Sequence, residues 1–198
     1  MAKYTGYVTI PHGSYVEWKA ATNGNGYDVD SSYGCQCWDF VAEFWYNVGF
    51  PQGYPHITSS SAYTMWELRN QNISYNGVNY FDLIPNITDV KQGDVMVFNY
   101  TTSNPYGHTG FADIDYNSWV PDPSQPFEFP ILSENNGGTP DPAGGAYANV
   151  HGYDTRLFLG AFRYNAWEVT PPTPTLVHQT TKKGFPWQIY ARKLRENR

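Results

Sequence analysis

From Asp39 onward the apolar residues fall at Phe40, Val41, Phe44, Trp45 and Val48. This is the spacing of one face of a 3.6-residue period, and Gly49 stands where such a helix stops. Cys37 is therefore expected in the first turn of a buried amphipathic helix. Further helical patterns are read around Ser14 to Ala21 and from Ser60 to Asn70. After Asn70 the chain reads as several antiparallel strands up to Tyr164. Turn dipeptides such as Asn76-Gly77 suggest an added hairpin between Asn72 and Asn86. Gln92-Gly93-Asp94 forms a turn into an apolar strand, Val95 to Tyr100. Asn104-Pro105-Tyr106-Gly107 turns the chain back into a strand that opens at His108. Ile131 and Leu132 mark a short buried strand, followed by a polar cluster and the breakers Gly137 and Gly138. Helices first and strands later argue for an α+β fold, with helices packed on one face of a curved antiparallel sheet.

Three places on this frame carry candidate chemistry. A cysteine in the first helical turn meets unpaired N–H groups and the positive end of the helix dipole, which favour a thiolate. The alternative is that Cys37 is a small buried anchor of the helix. His108, at the turn end of a hairpin, is the best-placed base. His12, His56, His151 and His178 stand in loop-like, polar or Pro/Gly-rich contexts. On a strand Glu134 and Asn136, two apart, face the same side, where a carboxylate or amide can fix an imidazole tautomer. The other reading is a polar strand end running into a turn. Asp28, Asp30 and Asp39 offer carboxylates to a hard cation such as calcium, or equally form an Asx-type turn capping the helix.

The order and wording of these pieces resemble the CHAP family, the cysteine- and histidine-dependent amidohydrolases/peptidases of phage lysins and bacterial wall hydrolases. The matching residues are Asp28-x-Asp30, Tyr33-Gly34-x-Gln36-Cys37-x-Asp39-Phe40, Gly93-Asp94-Val95, Gly107-His108, Glu134 with Asn136, and the closing Gly160-Ala161-Phe162-Arg163-Tyr164. The resemblance spans roughly residues 14 to 165 and implies a papain-like, NlpC/P60-like fold. It implies Cys37 as nucleophile, His108 as general base and then acid, and Glu134 with Asn136 as orienters of the imidazole. Gln36 would supply part of an oxyanion hole. In some relatives the aspartate loop holds calcium, with the backbone carbonyls of Ser32 and Gly34 completing the shell. The implied function is hydrolysis of an amide bond in bacterial peptidoglycan by a phage lysin, as amidase or endopeptidase. The competing class is a virion structural or glycan-binding module without hydrolytic activity. Two departures stand out. Cys35 occupies a place usually held by a small residue and is expected to be buried and inert. An aromatic, proline-rich stretch from Tyr116 to Pro130 separates the histidine strand from the Glu134 strand, and its prolines predict an extended, semi-rigid loop.

Composition narrows the function classes. The 198 residues fit one domain, residues 1–167, plus a short tail, residues 168–198, that opens on the Pro/Thr linker Thr170 to Thr175. Six of the twelve Lys and Arg residues (Lys182, Lys183, Arg192, Lys193, Arg195 and Arg198) follow residue 181 against Glu196 alone, so residues 182–198 carry +5 and residues 1–181 carry −11. That tail suits docking on another virion protein, binding an anionic wall polymer, or packing back on the acidic core. A net charge of −6 with no recognised module argues against nucleic-acid binding. No stretch is long and apolar enough to span a membrane, and Met1 to Ile10 lacks a signal-peptide run. With two cysteines the chain is no disulfide scaffold and tolerates a reducing compartment. This fits an enzyme made in the host cytoplasm that then reaches the cell wall, or one carried on the virion. No organic cofactor is implied.

Overall fold

In the computed structural model, which describes residues 13–136 and 144–167, Cys37–Asn47 forms the central helix. Four helices occur in chain order: α1 (Tyr15–Thr22), α2 (Cys37–Asn47), α3 (Thr64–Glu67) and α4 (Arg69–Asn72). Ser14 caps α1 by accepting a hydrogen bond from the Glu17 N–H at 3.3 Å. At the start of α2, Asp39 Oδ2 accepts the Gln36 N–H at 3.1 Å, so an acidic first turn satisfies a donor that the helix itself cannot. Phe40, Val41, Phe44 and Trp45 are fully buried, as the 3.6-residue spacing requires. Burial of each contributes about 1.5–3 kcal/mol. The helix expected from Ser60 to Asn70 is instead two single turns, α3 and α4, broken at Leu68. Its first residues are spent in a tight turn, where the Ser61 N–H donates to Thr58 O at 3.0 Å.

Eight strands follow: β1 (Ser74–Tyr75), β2 (Val78–Asn79), β3 (Phe81–Ile84), β4 (Val95–Phe98), β5 (His108–Ala112), β6 (Glu128–Ser133), β7 (Asn149–Asp154) and β8 (Phe158–Tyr164). β1 and β2 form the hairpin expected at Asn76-Gly77. The other six make one antiparallel sheet in the order β3-β8-β4-β5-β6-β7. On one face Val95, Val97, Phe111, Leu132 and Phe162 pack with Trp18, Phe40, Phe44 and Trp45 of the helices. Phe111 meets Phe40 and Phe44 edge-on at 5.3 and 5.1 Å. The opposite face carries Met96, Phe98, Ala112, Phe129, Ile131 and Ala161, covered by loop residues such as Tyr116, Trp119 and Leu157. This is the α+β, papain-like arrangement expected from the chain.

The stretch 116–130 is less extended than its prolines suggest. It begins with a 3-10 turn, Tyr116–Ser118, and contains the bridge Asp122↔Gln125 before entering β6. The Pro/Thr linker and basic tail of residues 168–198 lie outside the described residues, as do His12, His178, Gly137 and Gly138.

Candidate active site

Two elements meet at a cleft of about 700 Å³. The first turn of α2 supplies Cys37 and Trp38, and the start of β5 supplies Gly107 and His108. The aspartate loop adds Asp30, Tyr33 and Gln36, and the end of β6 adds Asn135. Gly107 sits at φ +70, and a Cβ there would lie 2.6 Å from Phe98 O, so the hairpin that delivers His108 needs glycine at this point.

His108 is buried, at 4% exposure. Its Nε2 is hydrogen-bonded to Ser133 Oγ at 2.9 Å, and Tyr153 stacks on the ring at 4.5 Å with an interplanar angle of 13°. Burial, reinforced by the charge of His151, pushes the imidazole down to about 3. Cys37 lies beside the backbone N–H groups of Thr109 and Trp38, which favour its thiolate. Burial outweighs them, and with the charges of Asp39 and Glu134 the thiol is pushed up to about 12. The helix terminus therefore does not hold a preformed thiolate here, contrary to the sequence expectation, because desolvation in this packed turn exceeds what the dipole contributes. The resting pair is a neutral thiol and a neutral imidazole.

The residues expected to orient the imidazole are placed otherwise. Pairing of β5 with β6 (Ala112↔Ile131) and of β4 with β5 (Phe98↔His108) puts His108 on the sheet face shared by Ile131 and Ser133. Alternation then sends Glu134 to the other face, where its Oε1 accepts the Tyr27 N–H at 2.7 Å. Asn136 shares the parity of Glu134, and its buried Nδ2 has no hydrogen-bond partner among the described residues. Asn135, at φ +55, lines the cleft in its place and donates from Nδ2 to Gln36 Oε1 at 2.7 Å. Gln36 in turn donates from Nε2 to Tyr33 O at 2.8 Å, so it bridges the aspartate loop and the end of β6 at the cleft.

The Asp28, Asp30 and Asp39 carboxylates converge, with one oxygen of each within 4.8 Å of the others. Asp39 accepts N–H groups from Val29 (3.1 Å), Asp30 (3.4 Å) and Gln36 (3.1 Å). Burial and the charge of Asp30 nonetheless push its carboxyl up to about 8. Asp28 Oδ1 is buried with no hydrogen-bond partner among the described residues. The loop between them turns through left-handed residues at Ser31, Tyr33 and Gly34. An orphaned oxygen beside two converging carboxylates suits an oxygen-seeking cation.

Cys35 is fully buried, as expected, and is in no disulfide among the described residues. His56 lies in a loop, its N–H donating to Asn72 Oδ1 at 2.7 Å. His151, assigned from sequence to a loop-like context, lies on β7 opposite Ile131. Sequence reasoning also passed over Ser133, Tyr153 and Asn135. The available signal for Ser133 was its position two residues after buried Ile131.

The low His108 value makes a stability prediction. The unfolded imidazole binds a proton below about 6.5 and the folded one only below about 3, so lowering the pH across that window favours the unfolded chain. Melting temperature should fall over this range by less in His108→Gln than in the wild type, as followed by circular dichroism.

Residues 22–118 match the family described as CHAP domain. The chain is 34% identical over 156 residues to a D-alanyl-L-alanine endopeptidase of Streptococcus phage B30. The match covers 76% of this chain and 30% of that relative, so the chain spans under a third of the relative's length. In three dimensions it is similar to the wild-type endolysin LysIME-EF1, with a TM-score of 0.52 and 21% identity over 78% of this chain and 64% of that one. The likeness to that structure concerns the fold. Among the described residues no helix is long and apolar enough to cross a membrane.

Proposed function

The chain carries a CHAP domain, and on that premise we propose that it is a phage peptidoglycan hydrolase acting at the bacterial cell wall, with Cys37 as nucleophile and His108 as general base and acid. The observation that carries this reading is the meeting of Cys37, in the first turn of α2, with buried His108 in one cleft. With Nε2 engaged by Ser133, Nδ1 is the nitrogen left to take the thiol proton.

Cys37 Sγ attacks the amide carbonyl as its proton passes to His108. The C–N bond then breaks, and the imidazolium protonates the departing amine. Water, deprotonated by the same imidazole, hydrolyses the thioester and frees the thiol. Because both partners rest neutral, proton transfer accompanies attack rather than preceding it. The backbone N–H groups of Thr109 and Trp38 that face the sulfur, with Gln36 at the same wall, are the donors nearest the developing oxyanion. The D-Ala–L-Ala specificity named for the phage B30 relative is the bond we assign to this chain.

We assign calcium to the Asp28, Asp30 and Asp39 carboxylates, with Ser32 and Gly34 carbonyls as further ligands. The ion's contribution would be structural: it would hold the three converging carboxylates together and stiffen the loop leading to Cys37. Chelated protein should gain stability when titrated with calcium, by about 2.7 kcal/mol at a hundredfold excess over Kd. Asp28→Ala should abolish that gain. An unchanged melting temperature in the wild type would remove the site.

Digestion of purified peptidoglycan, read by mass spectrometry against Cys37→Ala, tests the hydrolase reading. New amino and carboxyl termini at a D-Ala–L-Ala junction are expected from the wild type alone. Absence of any release across several wall chemotypes with calcium present would favour a wall-binding module.

A further inference from the structure

We propose that Tyr153 is a positioning residue of the catalytic histidine, its ring face stabilising the imidazolium that His108 becomes during turnover. The proposal rests on the reading of Cys37 and His108 as the reacting pair, and it concerns the face of the imidazole, not the hydrogen bonds at its edge. The two ring centroids lie 4.5 Å apart, and the planes are 13° from parallel. In the sheet β6 lies between β5 and β7, so these residues do not meet as neighbours on paired strands. The return of the chain brings them together. After Asp154 a 3-10 turn, Thr155–Leu157, leads into β8, whose Phe158 pairs with Phe98, the residue opposite His108. The Asn99 N–H donates to Leu157 O at 2.7 Å and fixes that return. Phe98 packs on the same tyrosine ring, with centroids 4.5 Å apart. Tyr153 is thus held by apolar contact on one side and meets the imidazole on another.

An aromatic ring is electrostatically negative on its face, and a cation within about 6 Å of the centroid is attracted to it. A neutral imidazole gains little from that field, whereas the imidazolium gains its full attraction. The contact is therefore stronger once His108 has taken a proton than before, which is the condition for accelerating a step. It opposes burial and the charge of His151, both of which hold the proton off His108. Tyr153 remains a neutral phenol through the working range, because burial pushes its hydroxyl up to about 12. The titratable groups around the pair are His151 and Tyr153 on β7 and Cys37 on α2, with Asp39 and Glu134 acting on Cys37 through their charges. The tyrosine face adds to whatever those carboxylates contribute at the other side of the site.

The test varies the electronics of the ring while keeping its shape. Tyr153→Phe retains the face and removes the hydroxyl, so on solubilised peptidoglycan fragments kcat should stay within about twofold of wild type. Tyr153→Leu keeps apolar bulk without a π face, and kcat should fall about 5- to 30-fold with KM within about twofold. Pentafluorophenylalanine incorporated at position 153 has nearly the shape of phenylalanine but a reversed quadrupole. It should lower kcat at least as far as Tyr153→Leu does, whereas a merely structural stack would leave it at the level of Tyr153→Phe. Equal kcat for the phenylalanine and fluorinated variants would overturn the proposal. A second measurement needs no turnover. In the Cys37→Ala background, ¹⁵N-histidine NMR follows protonation of His108 as the pH is lowered. With the fluorinated ring His108 should bind its proton about 5- to 30-fold more weakly than with phenylalanine at 153, and coincident titrations would again overturn the proposal. If the wild type itself released no product, the hydrolase reading would fail, while the two titrations still decided whether the face of residue 153 stabilises the imidazolium.

Discussion

Cys37→Ala is expected to reduce release of wall peptides to background while leaving the melting temperature within about 2 °C of wild type. The thiol takes no part in the helix's own backbone ladder, and alanine is the best helix former. His108→Gln should be as inactive, for a different reason. Without an imidazole the thiol, pushed up to about 12 by burial, stays protonated through the whole neutral range. A preformed thiolate would tolerate loss of the base at high pH, whereas a neutral pair has no other proton acceptor. Residual activity of His108→Gln should therefore stay at background from pH 6 to about 9, the span in which a thiol of ordinary pKa would ionise. Recovery of more than a tenth of wild-type rate at the alkaline end would show that the thiolate forms unaided. General-base assistance alone accounts for about 10²–10⁴-fold. Loss of the nucleophile removes the covalent route altogether.

Gly145→Ala is the substitution expected to damage the fold most for its size. Gly145 sits at φ +75 and pairs with Cys35 in an isolated parallel bridge. A Cβ there would lie 1.9 Å from Cys35 O, and the obstructing atom is backbone rather than a side chain that can swing away. Left-handed strain and displacement of the Cys35 carbonyl together should cost on the order of 3–5 kcal/mol. The segment pushed aside leads directly into Cys37, so activity should fall along with stability. Gly24→Ala is the control: it has φ +83 but nothing within 4 Å of the added carbon, so strain acts alone at about 1 kcal/mol. Urea melts of the two variants separate steric conflict from torsional strain. Equal losses would mean that the bridge yields easily.

The site was legible where residue type and period coincide. The apolar stripe from Phe40 to Trp45 located α2 and placed Cys37 in its first turn, and the Asn104-Pro105-Tyr106-Gly107 turn located His108. The side chain that meets His108 Nε2 was not legible, because its identity depends on parity in a strand whose last residues are all buried. Phe129, Ile131, Leu132 and Ser133 are all buried. Without polar alternation, only the two-residue spacing from Ile131 separates the side that Ser133 faces from the side that Glu134 faces. Residue type, strand spacing and the family resemblance pointed to Glu134 with Asn136 as the histidine's partners. β7 was missed for a related reason. It is an edge strand, and Asn149-Val150-His151-Gly152-Tyr153-Asp154 has neither an apolar run nor a clean alternation. The expected helix from Ser60 failed where turn hydrogen bonds at Thr58 and Ser61 competed with it.

Ser133 and Glu134 stand side by side at the end of one strand, each committed to a different layer of the molecule. Deleting one residue from β6 ahead of Ser133 would turn the strand end over and present Glu134 to the imidazole, with Ser133 moved to the Tyr27 side. One residue in a single strand thus decides which of the two side chains shares the histidine's face of the sheet. In aligning and engineering enzymes of this kind, gap placement in that strand decides which chemistry is assigned to the histidine.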